Sequence, residues 1–322
     1  WAKSISHAMA GRAAMNLLRQ TLREYVVLRR GLGHKFTQPA RDLEGFVTFM
    51  DKRDSTFITT KLALEWATQS QGKNASWAIK LAYVRGFARH VQALEIRTEV
   101  PPVGLLPYSG SAKPYIYSDI EIQALLEAAL ALKPANKLRR WTYHCLFGLL
   151  PVTGLRISEA LTLKRQDVDL EHGILTVRDT KFGKSRYVPI HESTQRILVE
   201  YDHRRNELVN PPCSEYFLVA ERGGRLLPQY VYPVFLRLSR QIGLRAQSAN
   251  SGPRLHDFRH TFAVNTLLRW YRTGEKVDTL LPKLSTYLGH SCVRDTYWYL
   301  SACPELMELA AQRLETRWES KL

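Results

Sequence analysis

Apolar residues recur every three or four positions through the first hundred residues, and that spacing predicts helices. Met15, Leu18, Leu22 and Tyr25/Val26 form one such face, which Gly31 and Gly33 end. Further helices are expected over Ala40–Met50, Thr60–Gln69 and Ala75–Leu94, the last with Trp77, Leu81, Val84, Phe87 and Val91 on one side. The pattern then fails from Val100 to Lys113, where Pro101, Pro102, Gly104, Pro107 and Gly110 break any helical repeat, as in a linker between domains. The organisation expected is a helical domain over 9–100, a linker over 101–113 and a second domain over 114–322. Trp1 to Ala8, ahead of Met9, are left out of the fold reading.

The second domain mixes the two periods. Ser118-Asp119-Ile120-Glu121 has the form of a capping box opening a helix with Leu125, Leu126 and Leu130. An apolar helix is predicted over Trp141–Leu150, ended by Pro151, and another begins near Arg156. Asp167–Leu170 reads as a turn, Gly173–Val177 as a strand and Tyr187–Ile190 as its hairpin partner. Helical spacing returns over Glu192–Arg205 and Pro228–Ile242, with a short buried strand expected at Tyr216–Val219 and a Ser/Asn/Gly-rich loop over Arg245–Arg254. A last amphipathic helix starts at Pro304 and runs through Leu309, Leu314 and Trp318. The fold class expected is mainly α with a small β-hairpin sheet in the second domain.

Composition narrows the function. Lys and Arg number 46 against 30 Asp and Glu, a net charge of +16, and both domains share the excess, which favours a polyanionic partner. No apolar run is long enough to cross a bilayer, so no membrane role is expected. Cys145, Cys213, Cys292 and Cys303 are widely spaced without a C-x-x-C pair, which fits reduced thiols and a cytoplasmic location. On the fourth helix Arg85, Arg89 and His90, preceded by Lys73 and Lys80, make a basic stripe suited to phosphates. Any one of these residues could equally be a solvated surface charge. Arg237 and Arg240 occupy the polar side of the Pro228–Ile242 helix.

Candidate chemistry concentrates between Leu255 and Tyr299. Leu255-His256-Asp257-Phe258-Arg259-His260, Tyr287-Leu288-Gly289-His290 and Asp295-Thr296-Tyr297-Trp298-Tyr299 supply an arginine, three histidines and two candidate tyrosine nucleophiles, an inventory able to hold and attack an anionic centre. Upstream, Arg156 directly follows a glycine turn, where its fork can meet a phosphate. Thr180-Lys181-Phe182-Gly183-Lys184-Ser185-Arg186 forms a basic hairpin tip. If the Tyr297–Tyr299 stretch is helical, the two hydroxyls point about 200° apart and cannot share one phosphate.

These motifs together resemble the tyrosine recombinase, or phage integrase, family. The residues that carry the likeness are T-G-L-R-I-S-E at 153–159, K-F-G-K-S-R at 181–186, H-D-F-R-H at 256–260, L-G-H at 288–290, and Tyr299 nine residues beyond His290. The resemblance implies a catalytic set of Arg156, Lys181, His256, Arg259, His290 and the nucleophile Tyr299, with Lys184 as the alternative hairpin lysine. Glu159 would orient Arg156, and His260 would pack and orient its neighbours. Lys73, Lys80, Arg85, Arg89, Lys184, Arg186, Arg237 and Arg240 would contact DNA.

In this chemistry the two arginines clamp a phosphodiester while a tyrosine oxygen attacks it, so neither cofactor nor metal is required. A free tyrosine titrates near pH ~10, so His256 is the candidate for taking its proton and Lys181 for supplying one to the departing 5′ oxygen. The family likeness further implies a C-shaped two-domain DNA clamp with a helical core-binding domain. It implies a homotetramer on synapsed double-stranded DNA, possible partner recombinases, a Holliday-junction intermediate, a nucleoid-associated protein and a C-terminal helix exchanged between subunits. With no β-rich stretch ahead of the helical pattern, an arm-binding module like that of some family members is not expected.

The D-T-Y-W-Y-L-S-A-C-P-E-L-M context favours a mobile-element recombinase over a chromosome-dimer resolvase. Two rival readings are a type IB topoisomerase-like or inactive DNA-binding protein and a zinc hydrolase using His256 and His260, spaced as i and i+4. The complete set of six residues opposes the first. Asp257, where the zinc motif carries Glu, and the lack of an obvious third ligand oppose the second.

Overall fold

The computed structural model describes residues 2–69, 74–107, 113–178, 185–209, 214–249, 251–301 and 303–319, without the side chains of 2–16, 74, 75, 301 and 316–319. The chain divides into two compact units, Trp1–Ala112 and Lys113–Leu322.

The first unit is built from α1 (Ala2–Gly31), α2 (Thr37–Lys52), α3 (Thr60–Thr68) and α4 (Asn74–Gln92). The heptad-like apolar faces meet as the spacing predicts: Leu18 and Leu22 of α1, Leu43, Phe46, Val47 and Met50 of α2, and Leu81, Val84 and Phe87 of α4 share one buried cluster. Burial of this apolar area, rather than helix propensity, is what holds short helices together. Thr59 caps α3 by accepting from the Leu62 amide at 3.2 Å. α1 starts well before Met15, where the apolar period first becomes visible.

The second unit opens with α5 (Asp119–Leu130), whose Ser118–Glu121 capping box forms as the sequence predicts. α6 (Arg139–Thr153) runs three residues past the predicted stop at Leu150. Pro151 is tolerated because it falls in the final turn, and the helix ends instead at Gly154 in the left-handed region, φ 61°. A four-residue helix α7 (Ile157–Ala160) follows.

The sheet has three antiparallel strands in the order β1 (Val168–Asp169), β2 (Ile174–Val177) and β3 (Arg186–Pro189), with Leu175 opposite both Val168 and Val188. β1 replaces part of the turn expected at Asp167–Leu170. The strand expected at Tyr216–Val219 does not form; Phe217, Leu218 and Val219 are buried, but the segment makes only isolated bridges, Lys164 with Tyr216 and Val219 with Arg225.

α8 (Glu192–Leu208) and α9 (Pro228–Gln241) cover this core, whose buried members include Phe147, Leu175, Val188, Tyr201, Phe217, Phe235 and Phe258. α10 (Asp257–Arg272) is the element on which the rest of the unit is assembled. Tyr117 stacks on its Phe258 at 4.2 Å, and the Tyr117 amide donates to Thr261 Oγ1 at 3.0 Å, fixing the start of the unit to α10. α11 (Val277–Leu288), α12 (Arg294–Tyr297), a 3-10 turn over Trp298–Ser301 and α13 (Pro304–Glu319) complete the chain. A second apolar cluster joins Val264 and Leu267 of α10 to Leu281, Leu284 and Leu288 of α11, to Tyr299 and to Leu306 of α13. The last helix therefore packs on α10 of its own chain, and Arg313 donates to the carbonyls of Gly274 and Glu275 at 2.9 and 2.6 Å. Among the described residues, no helix is long and apolar enough to cross a membrane.

Candidate active site

The site is assembled where the end of α6, the start of α10, the end of α11 and the α12–α13 connection meet. Gly154 permits this approach. A Cβ there would stand 2.6 Å from Phe262 Cδ1 and 3.0 Å from Leu288 Cδ2, so only glycine lets the α6 terminus reach α10 and α11. The chain then turns into Arg156, the N-cap residue of α7 with extended backbone, whose side chain is partly exposed.

Glu159 is buried at 7% exposure, and each of its oxygens accepts twice. Oε1 accepts from Arg156 Nη1 at 2.9 Å and Arg186 Nη1 at 3.1 Å. Oε2 accepts from the Arg156 amide at 3.0 Å and Arg186 Nη2 at 2.8 Å. Burial raises the Glu159 pKa, but the Arg186 hydrogen bonds and charge, with help from Arg156, outweigh it and hold the carboxyl below its ordinary value. This geometry corrects the expectation that Arg186 faces DNA. Its side chain is only 9% exposed, its fork is closed on Glu159, and its Nε donates to the Tyr287 carbonyl at 2.6 Å.

The C-terminal end of α11 is gripped by three arginines. Tyr287 O accepts from Arg186, Leu288 O from Arg259 Nη2 at 2.5 Å, and Gly289 O from Arg156 Nη2 at 3.3 Å. These are the carbonyls that a helix end leaves without intrahelical donors, and their partial negative charge favours cations. Gly289 turns the chain out of the helix at φ 69°, and a Cβ there would stand 2.9 Å from Arg186 Nη1. Arg259 is 2% exposed and also donates Nη1 to the Gly154 carbonyl at 2.8 Å. Burial, reinforced by the charge of Arg156, lowers its pKa to about 10, so it stays cationic at neutral pH.

Tyr299 is 3% exposed and its hydroxyl lies in the field of Arg259, whereas Tyr297 is 52% exposed. Burial raises the Tyr299 pKa more than Arg259 and Arg156 lower it, so the resting group is the phenol. The His290 ring lies nearly parallel to Tyr299 at 6.0 Å, and its Nδ1 is 2.7 Å from Thr296 Oγ1. Thr296 is fully buried and was not picked out from the sequence; its place three residues before Tyr299 was the available signal. His260 packs 5.5 Å from Tyr299, 5.2 Å from Trp298 and 4.9 Å from His256, and its Nδ1 is buried with no hydrogen-bond partner. His256 stands at the surface end of α10 as its N-cap residue. The arrangement thus gathers Arg156, Arg259 and His290 about a buried phenol, with His256 on the far side of His260, a set of donors suited to an oxyanion.

Asp257 does not complete a metal site. It is 1% exposed and accepts from the Arg254 amide at 2.8 Å and from Arg254 Nη2 at 2.8 Å, closing the first turn of α10. Among the described residues no group of three His, Cys, Asp or Glu side chains has the arrangement of a metal site.

The remaining candidates separate. Lys73, Lys181 and Lys184 lie outside the described residues. Arg89 and Arg237 are exposed, Lys80 lies over the Trp66 ring at 5.5 Å, and Arg240 is half-buried with its Nε covered. Arg85 is partly spent within the first unit, donating Nε to Pro101 O at 2.7 Å and Nη2 to Pro102 O at 2.8 Å. The stripe on α4 therefore offers Arg89 more freely than Arg85.

A family model described as the phage integrase family matches residues 118–305, more than half the chain and every described residue of the site. The chain belongs to the phage integrase family. This tyrosine recombinase is 49% identical over 314 residues to a Sinorhizobium fredii protein named integrase/recombinase y4rB, covering 95% of this chain and 100% of that one. It is 28% identical over 204 residues to the tyrosine recombinase XerA of Pyrococcus furiosus, covering 62% of each chain. Its fold is similar to that of the Tn1549 transposon integrase in complex with transposon right end DNA, with a TM-score of 0.69 at 16% identity over 93% of this chain and 98% of that one.

The histidines of the recombinase give its stability a pH dependence. Burial first, then the charge of His256, lowers His260 to about 4; burial first, then Arg259 and Arg156, lowers His290 to about 4. His256 is lowered in the same direction, but the residue is exposed, so solvent screening leaves it a minor contributor. The unfolded chain takes up protons on these groups below about pH 6.5 while the folded chain does not, so stability falls as pH drops from 6.5 towards 4. Between pH 7 and pH 5 the unfolding free energy measured in urea should fall by about 2–4 kcal/mol. His290→Gln should remove a large part of that slope. A flat profile over this window would show that both rings are solvated in the folded protein.

Proposed function

We propose that this recombinase cuts and rejoins double-stranded DNA through a 3′-phosphotyrosyl intermediate and that it integrates or excises a mobile element. The single observation that carries the chemistry is a buried Tyr299 lying parallel to His290, the residue that follows the α11 terminus held by Arg156 and Arg259. In the forward step the Tyr299 oxygen bonds to phosphorus and the bond from phosphorus to the 5′ oxygen breaks. His256 takes the phenol proton, and Lys181 gives a proton to the departing 5′ oxygen. Arg156, Arg259 and His290 hold the charge that builds on the non-bridging oxygens. The 5′ hydroxyl of a second strand then reverses the step, so no external energy source is needed. Arg89 and Arg237 serve the phosphate backbone, and the enzyme works as a tetramer on two synapsed duplexes, through a Holliday junction, at the nucleoid.

The mobile-element role is supported by end-to-end similarity to an integrase/recombinase, against a shorter and weaker match to XerA. The test is to select duplexes bound by the protein from a random library, introduce a nick beside the candidate cleavage position, and look on a denaturing gel for protein linked to a 3′ end. A covalent adduct on the selected site supports the reading. Tight duplex binding with no adduct at any nick position would leave a DNA-binding protein without strand-transfer activity.

A further inference from the structure

We infer that Arg186 is a positioning residue for cleavage: it sets both the charge and the aim of Arg156 by sharing Glu159 and by fastening β3 to the end of α11. This inference rests on the proposed strand-transfer chemistry and concerns how that site is kept ready. Arg186 lies 27 residues from Glu159 and 101 from Tyr287, yet its fork occupies both oxygens of the one and its Nε the carbonyl of the other. Glu159 has four acceptor positions and all four are filled, two by Arg186 and two by Arg156.

The charge balance follows from this sharing. One buried carboxylate between two guanidinium groups leaves a net positive charge at the site. Without Arg186 the same carboxylate would neutralise Arg156 alone, and a phosphate would meet a closed ion pair in place of a cation. The geometry follows too. Arg156 and Arg186 hold neighbouring carbonyls, Gly289 and Tyr287, either side of the Leu288 carbonyl held by Arg259. Loosening one fork lets the α11 terminus shift, and His290 is the next residue along the chain. A lysine at 186 keeps the charge but cannot bridge two carboxylate oxygens and a carbonyl at once.

Cleavage rate and duplex affinity therefore separate. Arg186→Gln and Arg186→Lys should each slow single-turnover adduct formation by about 10²-fold, as expected for a misplaced reacting group. Arg186→Lys, which keeps the charge, should leave the salt dependence of duplex binding at its wild-type slope. Combining Arg186→Gln with Glu159→Gln should cost no more than the worse single change, since both break one unit.

The inference is overturned if Arg186→Lys forms adduct within threefold of the wild-type rate, if the double change is additive, or if the Arg186→Lys salt slope falls by about one, the mark of a lost phosphate contact. Should both Arg186 variants melt below the assay temperature, Glu159→Gln with Arg186 intact carries the test: slow cleavage with an unchanged salt slope supports the inference, and wild-type cleavage overturns it. Wild-type protein is the control that separates the two readings. No adduct from wild type sinks the strand-transfer chemistry, while normal adduct from wild type and variants alike sinks only the role of Arg186.

Discussion

Tyr299→Phe should abolish covalent attachment to DNA while leaving the protein folded and bound to its duplex. The substitution removes one oxygen from a residue 3% exposed and keeps the ring that packs in the cluster with Leu267, Leu281 and Leu306. The favourable interaction of the hydroxyl with the Arg259 charge is lost, so stability should fall by about 1–2 kcal/mol, a cost visible in the melting temperature but too small to unfold the unit. Loss of the nucleophile should lower adduct formation by at least ~10³-fold. Tyr297→Phe is the matched comparison, because Tyr297 is 52% exposed and lies on the turn before. It should form adduct at close to the wild-type rate. The reverse pattern, adduct surviving Tyr299→Phe and vanishing with Tyr297→Phe, would transfer the nucleophile to the exposed ring and require the α12 segment to rearrange on DNA.

Tyr299 and Tyr297 also illustrate which parts of this protein its sequence reveals. The helices of the first unit and α5, α6, α8, α9 and α13 of the second announce themselves by spacing, because a helix buries one face and the apolar period records it, whereas α10 and α11 stand out in the sequence only for their motifs. The capping box at Ser118 and the glycine stops are local too. β1 is not local: two residues, Val168 and Asp169, are strand only because Leu175 and Ile174 lie opposite them. The apolar run Tyr216–Val219 has the burial of a strand, but its backbone pairs only through isolated bridges, Tyr216 with Lys164 and Val219 with Arg225, so it remains an irregular buried segment. Pro151 marks a helix end to within one turn and no better, since a proline in the last turn still lets the chain reach Gly154.

The site divides along the same line. Arg156, His256, Arg259, His290 and Tyr299 were legible because each sits in a short motif, and the structure brings them together. Arg186 reads from the sequence as a DNA contact because it belongs to the basic hairpin tip. Its direction is set by a carboxylate and a carbonyl from distant parts of the chain, neither of which leaves a mark near position 186. Thr296 escaped notice for the same reason: a threonine beside an aromatic run says nothing until His290 Nδ1 is found 2.7 Å away.

Arg259→Lys should be the most damaging single change to the fold and the chemistry together. The guanidinium makes a directed bond to each of two backbone carbonyls, Gly154 O at 2.8 Å and Leu288 O at 2.5 Å, and its charge acts on Tyr299. It thereby joins the end of α6 and the end of α11 through one rigid plane. An ammonium group at the end of a flexible stem cannot serve both carbonyls, and each buried carbonyl left without a donor costs about 1–3 kcal/mol. A loss of about 2–4 kcal/mol is expected in urea unfolding. The same surroundings that pull Arg259 down to about 10 would act on a lysine, which starts from a lower pKa and so loses part of its charge near neutrality. Adduct formation should fall by about 10³-fold or more, the cost of losing a preorganised donor to the developing oxyanion together with part of the charge that acts on the phenol. The pH profile distinguishes the two losses. If charge is the larger one, activity of the variant recovers as the pH is lowered from 8 towards 7 and the lysine is protonated; if the planar fork matters more, activity stays low throughout. Adduct formation within tenfold of wild type at all these pH values would mean that Arg259 holds the helices together and leaves the phosphate to Arg156.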